Sequence, residues 1–156
     1  MPVAHDFGIE ERKKLFVPAA APLHAALGPF GFTLIRVSLG LIVMPHGYGK
    51  LFLADAVPTS RNFVHFGWSH PLVWAYAIGA LEFFGGLMLA LGLFTRIVAA
   101  AFVIEMAVIS FGVLYPNWSW GHHGMEYALL MGLVALGIFL NGGGRYSLDR
   151  LIGREF

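Results

Sequence analysis

The sequence contains no cysteine. Disulfides, thiol chemistry and iron–sulfur ligation by this chain are therefore excluded. Any redox role has to run through a quinone, a haem, another metal or a partner protein. Charge is the next scarcity: Asp, Glu, Lys and Arg make up 12% of the 156 residues, against about 25% in an ordinary soluble domain. The net charge is only +1, and no basic patch accompanies a groove-reading motif, so nucleic acid is not an expected partner. The opening residues carry Asp6, Glu10 and Glu11 and lack the apolar run of a cleavable signal peptide.

What the chain has in excess is apolar surface. Hydrophobic residues account for 58%, where about 45–50% is usual. A chain this short has too much surface per unit volume to hide that excess in a core. Lipid must therefore replace water around much of it, and the length suits one domain. The expectation is an all-α integral membrane protein of the cell membrane, crossing the bilayer several times.

Four apolar stretches approach the roughly 20 residues that about 30 Å of hydrocarbon requires. They run from about residue 31 to 53, 71 to 94, 97 to 115 and 124 to 140. Backbone groups in hydrocarbon must bond within their own segment, which selects helices. The strict alternation of a transmembrane barrel strand is missing. A four-helix bundle with short loops is thus expected over residues 31–141, between an N-terminal arm (1–30) and a C-terminal tail (142–156). In the arm, the charged cluster Glu10-Glu11-Arg12-Lys13-Lys14 fits either a short interfacial helix or a solvated segment. A helix there would end before the alanine- and proline-rich stretch from Pro18 to Pro29. Thr95-Arg96 reads as the turn of a tight hairpin. The long connection Ala54 to His70 reads as a partly amphipathic helix on the membrane surface.

Lysine and arginine set the orientation. Arg12, Lys13, Lys14, Arg36, Arg96, Arg145, Arg150 and Arg154 fall on one side, and only Lys50 and Arg61 on the other. Both termini are expected to face the cytoplasm. Trp68, Trp74, Trp118 and Trp120 gather at the opposite interface, as an aromatic belt does.

The ionisable residues inside these stretches carry the functional argument. A charge near the centre of a spanning helix costs roughly 2.5–3.5 kcal/mol even on the mildest scale, so such residues turn toward the bundle interior. Glu82 and Glu105 lie near mid-span, while His46 and Glu126 lie in the outer half with Lys50 one turn past His46. Ala75, Gly79, Glu82 and Gly86 recur at helical spacing, giving a stripe of small residues around one carboxylate. His46 and Lys50 share a helix face, as do His122 and Glu126. These groups define a polar pocket of His46, Lys50, Glu82 and Glu126, open to the outer side. For Lys50 alone, snorkelling to the interface competes with pairing to Glu82 or Glu126. For Glu82, a protonated acid bonding between helices is the structural alternative. Glu105 reads as a neutral structural acid, and His122 and His123 as loop residues. His46 follows Pro45 and precedes Gly47 and Gly49, which predicts a kinked or broken helix there. The spacings match neither the di-iron Glu-x-x-His pattern nor His-Glu-x-x-His. A metal site is therefore disfavoured, as is haem held by His46 and His122.

Three sequence blocks resemble the DoxX family of membrane proteins. Arg36-Val37-Ser38-Leu39-Gly40 with Met44-Pro45-His46-Gly47-Tyr48-Gly49-Lys50-Leu51-Phe52 is similar to that family's first-helix signature. Leu81-Glu82-Phe83-Phe84-Gly85-Gly86 followed by Leu91-Gly92-Leu93-Phe94-Thr95-Arg96 resembles its second-helix block. Gly142-Gly143-Gly144-Arg145-Tyr146-Ser147-Leu148-Asp149 resembles its closing motif. The resemblance extends from about Phe32 to Ile152. It implies a four-helix membrane protein and links it to oxidoreductases, since the family takes its name from a subunit of a terminal oxidase or thiosulfate:quinone oxidoreductase. Some members associate with soluble redox-defence enzymes, so other membrane or redox subunits are implied partners. The matching site positions are His46, Lys50, Glu82 and Arg96.

Three functions compete on this basis. A membrane subunit of an oxidoreductase system would use the pocket for a quinone head group, with His46 and Lys50 as donors and Glu82 or Glu126 exchanging protons. A non-catalytic anchor or assembly subunit would use the glycine-rich faces and the tail to hold a larger complex. A small proton or solute carrier would use Glu82 and Glu105 as a relay. It ranks last, because the two halves show no internal repeat.

Overall fold

The computed structural model describes residues 16–154, and every regular element among them is helical. The helix α1 runs over Ala21–Phe52 and α2 over Ala56–His65. The third, α3, spans Pro71–Leu91 and α4 spans Thr95–Leu114. Two more follow, α5 over Glu126–Asn141 and the short α6 over Leu148–Ile152. The charged cluster of residues 10–14 lies outside the described residues.

Three of these helices, α1, α3 and α4, are long and apolar enough to cross a membrane. The fourth, α5, is apolar but only 16 residues long. Side chains such as Leu34, Leu41, Val73, Ile97, Ile104, Leu130 and Leu133 stand exposed along their outer faces. Lipid accepts such a surface and water does not.

Several boundaries differ from expectation for identifiable reasons. The first helix begins at Ala21, ten residues before Gly31, so most of the alanine- and proline-rich stretch is helical. Pro22 falls in the first turn, where its missing N–H has no partner to lose. Nor is α1 broken at Pro45, since helical geometry continues to Phe52. Pro45 is exposed, and the one bond it cannot make, to the Leu41 carbonyl, does not end the helix. The hairpin turn comprises residues 92–94, and Thr95-Arg96 already belong to α4. Gly92 and Phe94 both have positive φ, at 72° and 48°, which reverses the chain in three residues. In the long connection the expected helix is present as α2, packed against α1 and α3.

Two pairings organise the bundle: α1 lies along α3, and α4 along α5. The α1–α3 seam depends on glycine. A Cβ on Gly86 would stand 2.7 Å from the Gly40 carbonyl oxygen, and one on Gly47 would stand 2.6 Å from that of Gly79. Close backbone approach of this kind holds helices together where lipid supplies no hydrophobic drive. The stripe of Ala75, Gly79, Glu82 and Gly86 is buried throughout. The core then closes with Leu39 and Val43 of α1, Leu89 of α3, Phe102 and Met106 of α4, and Ala135 and Ile138 of α5.

At one end of the bundle a polar lattice fixes the helix termini. Arg36 is 1% exposed. Its Nη1 donates to the carbonyls of Leu89 (2.5 Å) and Ala90 (2.9 Å), and its Nη2 to that of Tyr146 (2.7 Å). Asp149, also buried, accepts the amides of Phe94 and Thr95, each at 2.8 Å, while its own amide donates to the Gly92 carbonyl at 2.9 Å. Arg96 Nη1 donates to the carbonyls of Phe139 (2.7 Å) and Leu140 (3.0 Å). A cation thus sits at the C-terminal ends of α3 and α5 and an anion at the N-terminus of α4, each the sign that the helix dipole favours. The expected tail is therefore built into the bundle as far as Asp149.

Both α3 and α4 contain a widened, π-helical stretch, Leu81–Gly85 and Val108–Leu114 respectively. Such turns add a residue to the helix and re-aim the side chains on them.

Candidate functional site

Glu82 stands on the widened turn of α3 and is 3% exposed. Lys50, in the last turn of α1, reaches it across the glycine seam. The ammonium Nζ donates to both carboxylate oxygens, at 2.8 Å to Oε1 and 2.6 Å to Oε2. Gly79 makes this possible, since a Cβ there would lie 2.8 Å from the Lys50 Cβ. A pair so enclosed is held by its geometry, because water no longer screens either charge. The snorkelling alternative for Lys50 is not what the side chain does.

The pair forms the polar wall of a cavity of about 320 Å³ bounded by α1, α3, α4 and the start of α5. His46, one turn before Lys50, lines it and is itself exposed. Two further polar residues contribute, His123 and Tyr127. Val43, Met106, Ile109, Leu114 and Met131 make the remainder largely apolar. An apolar slot with a few convergent polar groups is the usual form of a small-molecule site.

His46, Lys50 and Glu82 are thus brought together. Glu126 is not among the residues that line the cavity: it is half-buried at the start of α5, where its amide donates to the Trp118 carbonyl at 3.1 Å. His123, rather than His122, joins His46 at the wall. It is placed there by a positive φ of 55° and by the buried Gly124 that follows. Among the described residues, no three His, Asp or Glu side chains gather closely enough to share a metal ion.

Glu105 of α4 adjoins this pair. It is 5% exposed and lies within electrostatic reach of both Glu82 and Lys50. Its carboxylate is turned toward that of Glu82, and both of its oxygens are buried with no donor group to accept from. Its position within an apolar span is visible in the sequence, where only the carrier reading sets it beside Glu82.

Comparison with known proteins fixes the lineage. The DoxX family model matches residues 31–114, more than half of the chain. The chain belongs to the DoxX family. This DoxX protein is 29% identical over 146 residues to "Uncharacterized membrane protein Rv3486" of Mycobacterium tuberculosis, covering 85% of this chain and 87% of that protein. It is 32% identical over 124 residues to "Putative oxidoreductase CatD" of Bacillus subtilis, covering 78% of this chain and 87% of that protein. No solved structure matches it. The DoxX match contains Arg36, His46, Lys50, Glu82 and Glu105, and it ends before His123, Tyr127 and Asp149. The protein is accordingly a DoxX-family membrane protein.

Proposed function

We propose that this chain is a multi-pass subunit of an oxidoreductase system in the cell membrane, and that its cavity takes a quinone head group. The observation that carries the reading is the Lys50–Glu82 ion pair, set in the wall of an otherwise mostly apolar cavity. A quinone requires a flat apolar slot, donors to its two carbonyl oxygens and a nearby group that exchanges protons. Lys50, His46 and Tyr127 supply the donors, and Glu82 supplies the carboxylate. The name of the Bacillus subtilis relative is in keeping with redox work. Glu126, off the cavity wall, is given no part.

On this reading α5 is the fourth crossing. Its 16 residues span about 24 Å at 1.5 Å per residue, and local thinning of the bilayer accommodates the shortfall. Residues 31–141 then form the transmembrane domain, residues 21–30 extend α1 past the hydrocarbon, and residues 142–154 close the same side. The Lys and Arg distribution supports a cytoplasmic position for that side and for both termini.

The test is quinone binding by the purified protein in lipid nanodiscs, followed by titration with a short-chain quinone. The double variant His46→Ala, Glu82→Gln should bind at least about tenfold more weakly, the loss of two modest polar contacts. Unchanged binding would remove the reading. It would leave the non-catalytic anchor, which predicts instead that partner subunits co-purify under gentle extraction.

A further inference from the structure

Two carboxylates and one ammonium meet behind the cavity wall: Glu82 on α3, Glu105 on α4 and Lys50 on α1. Lys50 directs two of its three N–H donors to Glu82, its Nζ bonded to both oxygens. Glu105 has no such cation. Both of its oxygens are buried without a hydrogen-bond partner, and the group nearest in kind is another carboxylate. From α5, the titratable side chain facing this region is Tyr127, at the cavity wall. Two carboxylates attract each other only when a proton lies between them, because an ionised carboxylate has acceptors and no donor. A net negative charge left in a region without water or a counter-cation is strongly disfavoured.

We propose that Lys50, Glu82 and Glu105 form a neutral buried triad that holds one exchangeable proton, carried by Glu105 and shared toward Glu82. The triad then has charges of +1, −1 and 0, and its proton lies one carboxylate away from the cavity. As the store from which a quinone at the wall, reduced by electrons from a partner redox subunit, takes up a proton through Glu82, Glu105 rests on the reading above. The protonation of the triad does not, and it is measured separately.

The experiment is infrared spectroscopy of the whole protein in nanodiscs at neutral pH, reading the carbonyl stretch of protonated carboxylic acids. The parent should show one such band, shifted on transfer to heavy water as the proton exchanges through the cavity. Glu105→Gln should abolish it. Lys50→Met removes the cation that lets Glu82 stay ionised, so both acids should take a proton and the band should double. Glu126→Gln should leave it unchanged. A parent without the band, a band that survives Glu105→Gln, or a Lys50→Met band of unaltered size overturns the triad. A band that ignores heavy water overturns the exchange. Quinone binding is not read in any of these samples, so loss of the quinone reading and loss of the triad are separate outcomes. If Glu105→Gln does not fold, the Lys50→Met doubling still decides.

Discussion

Asp149→Ala should unfold this protein more readily than any change at the cavity. The carboxylate accepts two amides that have no helical acceptor, those of Phe94 and Thr95 at the start of α4. Thr95 is fully buried, so its orphaned N–H costs about 1–3 kcal/mol. Phe94 is 37% exposed; water partly replaces its acceptor, and about 1 kcal/mol is a fair share. Loss of an anion at a helix N-terminus adds about 0.3–1 kcal/mol. The total is about 2–5 kcal/mol. Asp149→Asn keeps one acceptor oxygen and turns an NH₂ toward the other amide, so it should lose about half as much. The assay is reversible unfolding in mixed micelles with rising dodecyl sulfate, followed by far-ultraviolet circular dichroism. A loss below about 1 kcal/mol for Asp149→Ala would refute the idea that buried caps, rather than the glycine seam, hold the α3–α4 hairpin to the chain's end.

The glycine seam makes its own predictions in the same assay. Gly86→Ala should destabilise by about 1–3 kcal/mol through overpacking against Gly40 and Met44. Gly137→Ala, where an added Cβ meets nothing within 4 Å, should stabilise by about 0.5–1 kcal/mol. Gly92→Ala forces a side chain into the left-handed region and to within 2.6 Å of the Ser147 Cβ, so a loss of at least about 1–2 kcal/mol is expected. His46→Ala removes an exposed side chain and should leave stability within about 0.5 kcal/mol. It should nonetheless weaken short-chain quinone binding about 2–10-fold in titration, the range for one hydrogen bond.

The parts of the fold that follow from local periodicity were legible in the sequence. Apolar runs near 20 residues located the three helices long enough to cross a membrane, and the spacing of Ala75, Gly79, Glu82 and Gly86 identified the buried face of α3. The same logic turned Glu82 inward and left Lys50 between snorkelling and pairing with Glu82 or Glu126; the side chain pairs with Glu82. Contacts between residues far apart in the chain were not legible. Arg36 stands out as a basic residue near a helix start and as part of the first-helix block, but nothing in its neighbourhood reveals that the carbonyls of Leu89, Ala90 and Tyr146 await it. Asp149 looked like part of a polar tail for the same reason. Glu105 was recognised as an acid in hydrocarbon, but the helix rotation that brings it beside Glu82 depends on the packing of α4. The early start of α1 is not legible because proline ordinarily interrupts a helix, whereas Pro22 lies in the first turn, where its missing N–H has no partner to lose.

The widened turn at Leu81–Gly85 makes the polar wall a matter of chain length as much as of side-chain identity. Each residue of an ordinary helix turns the chain by about 100°. Deleting one residue between Leu81 and Gly85 would relax that stretch into regular helix. The glycines that face α1 before and after it could then no longer both keep their contacts. Either the seam at Gly79 or the seam at Gly86 would rotate away, and Glu82 would lose its lysine without itself being changed.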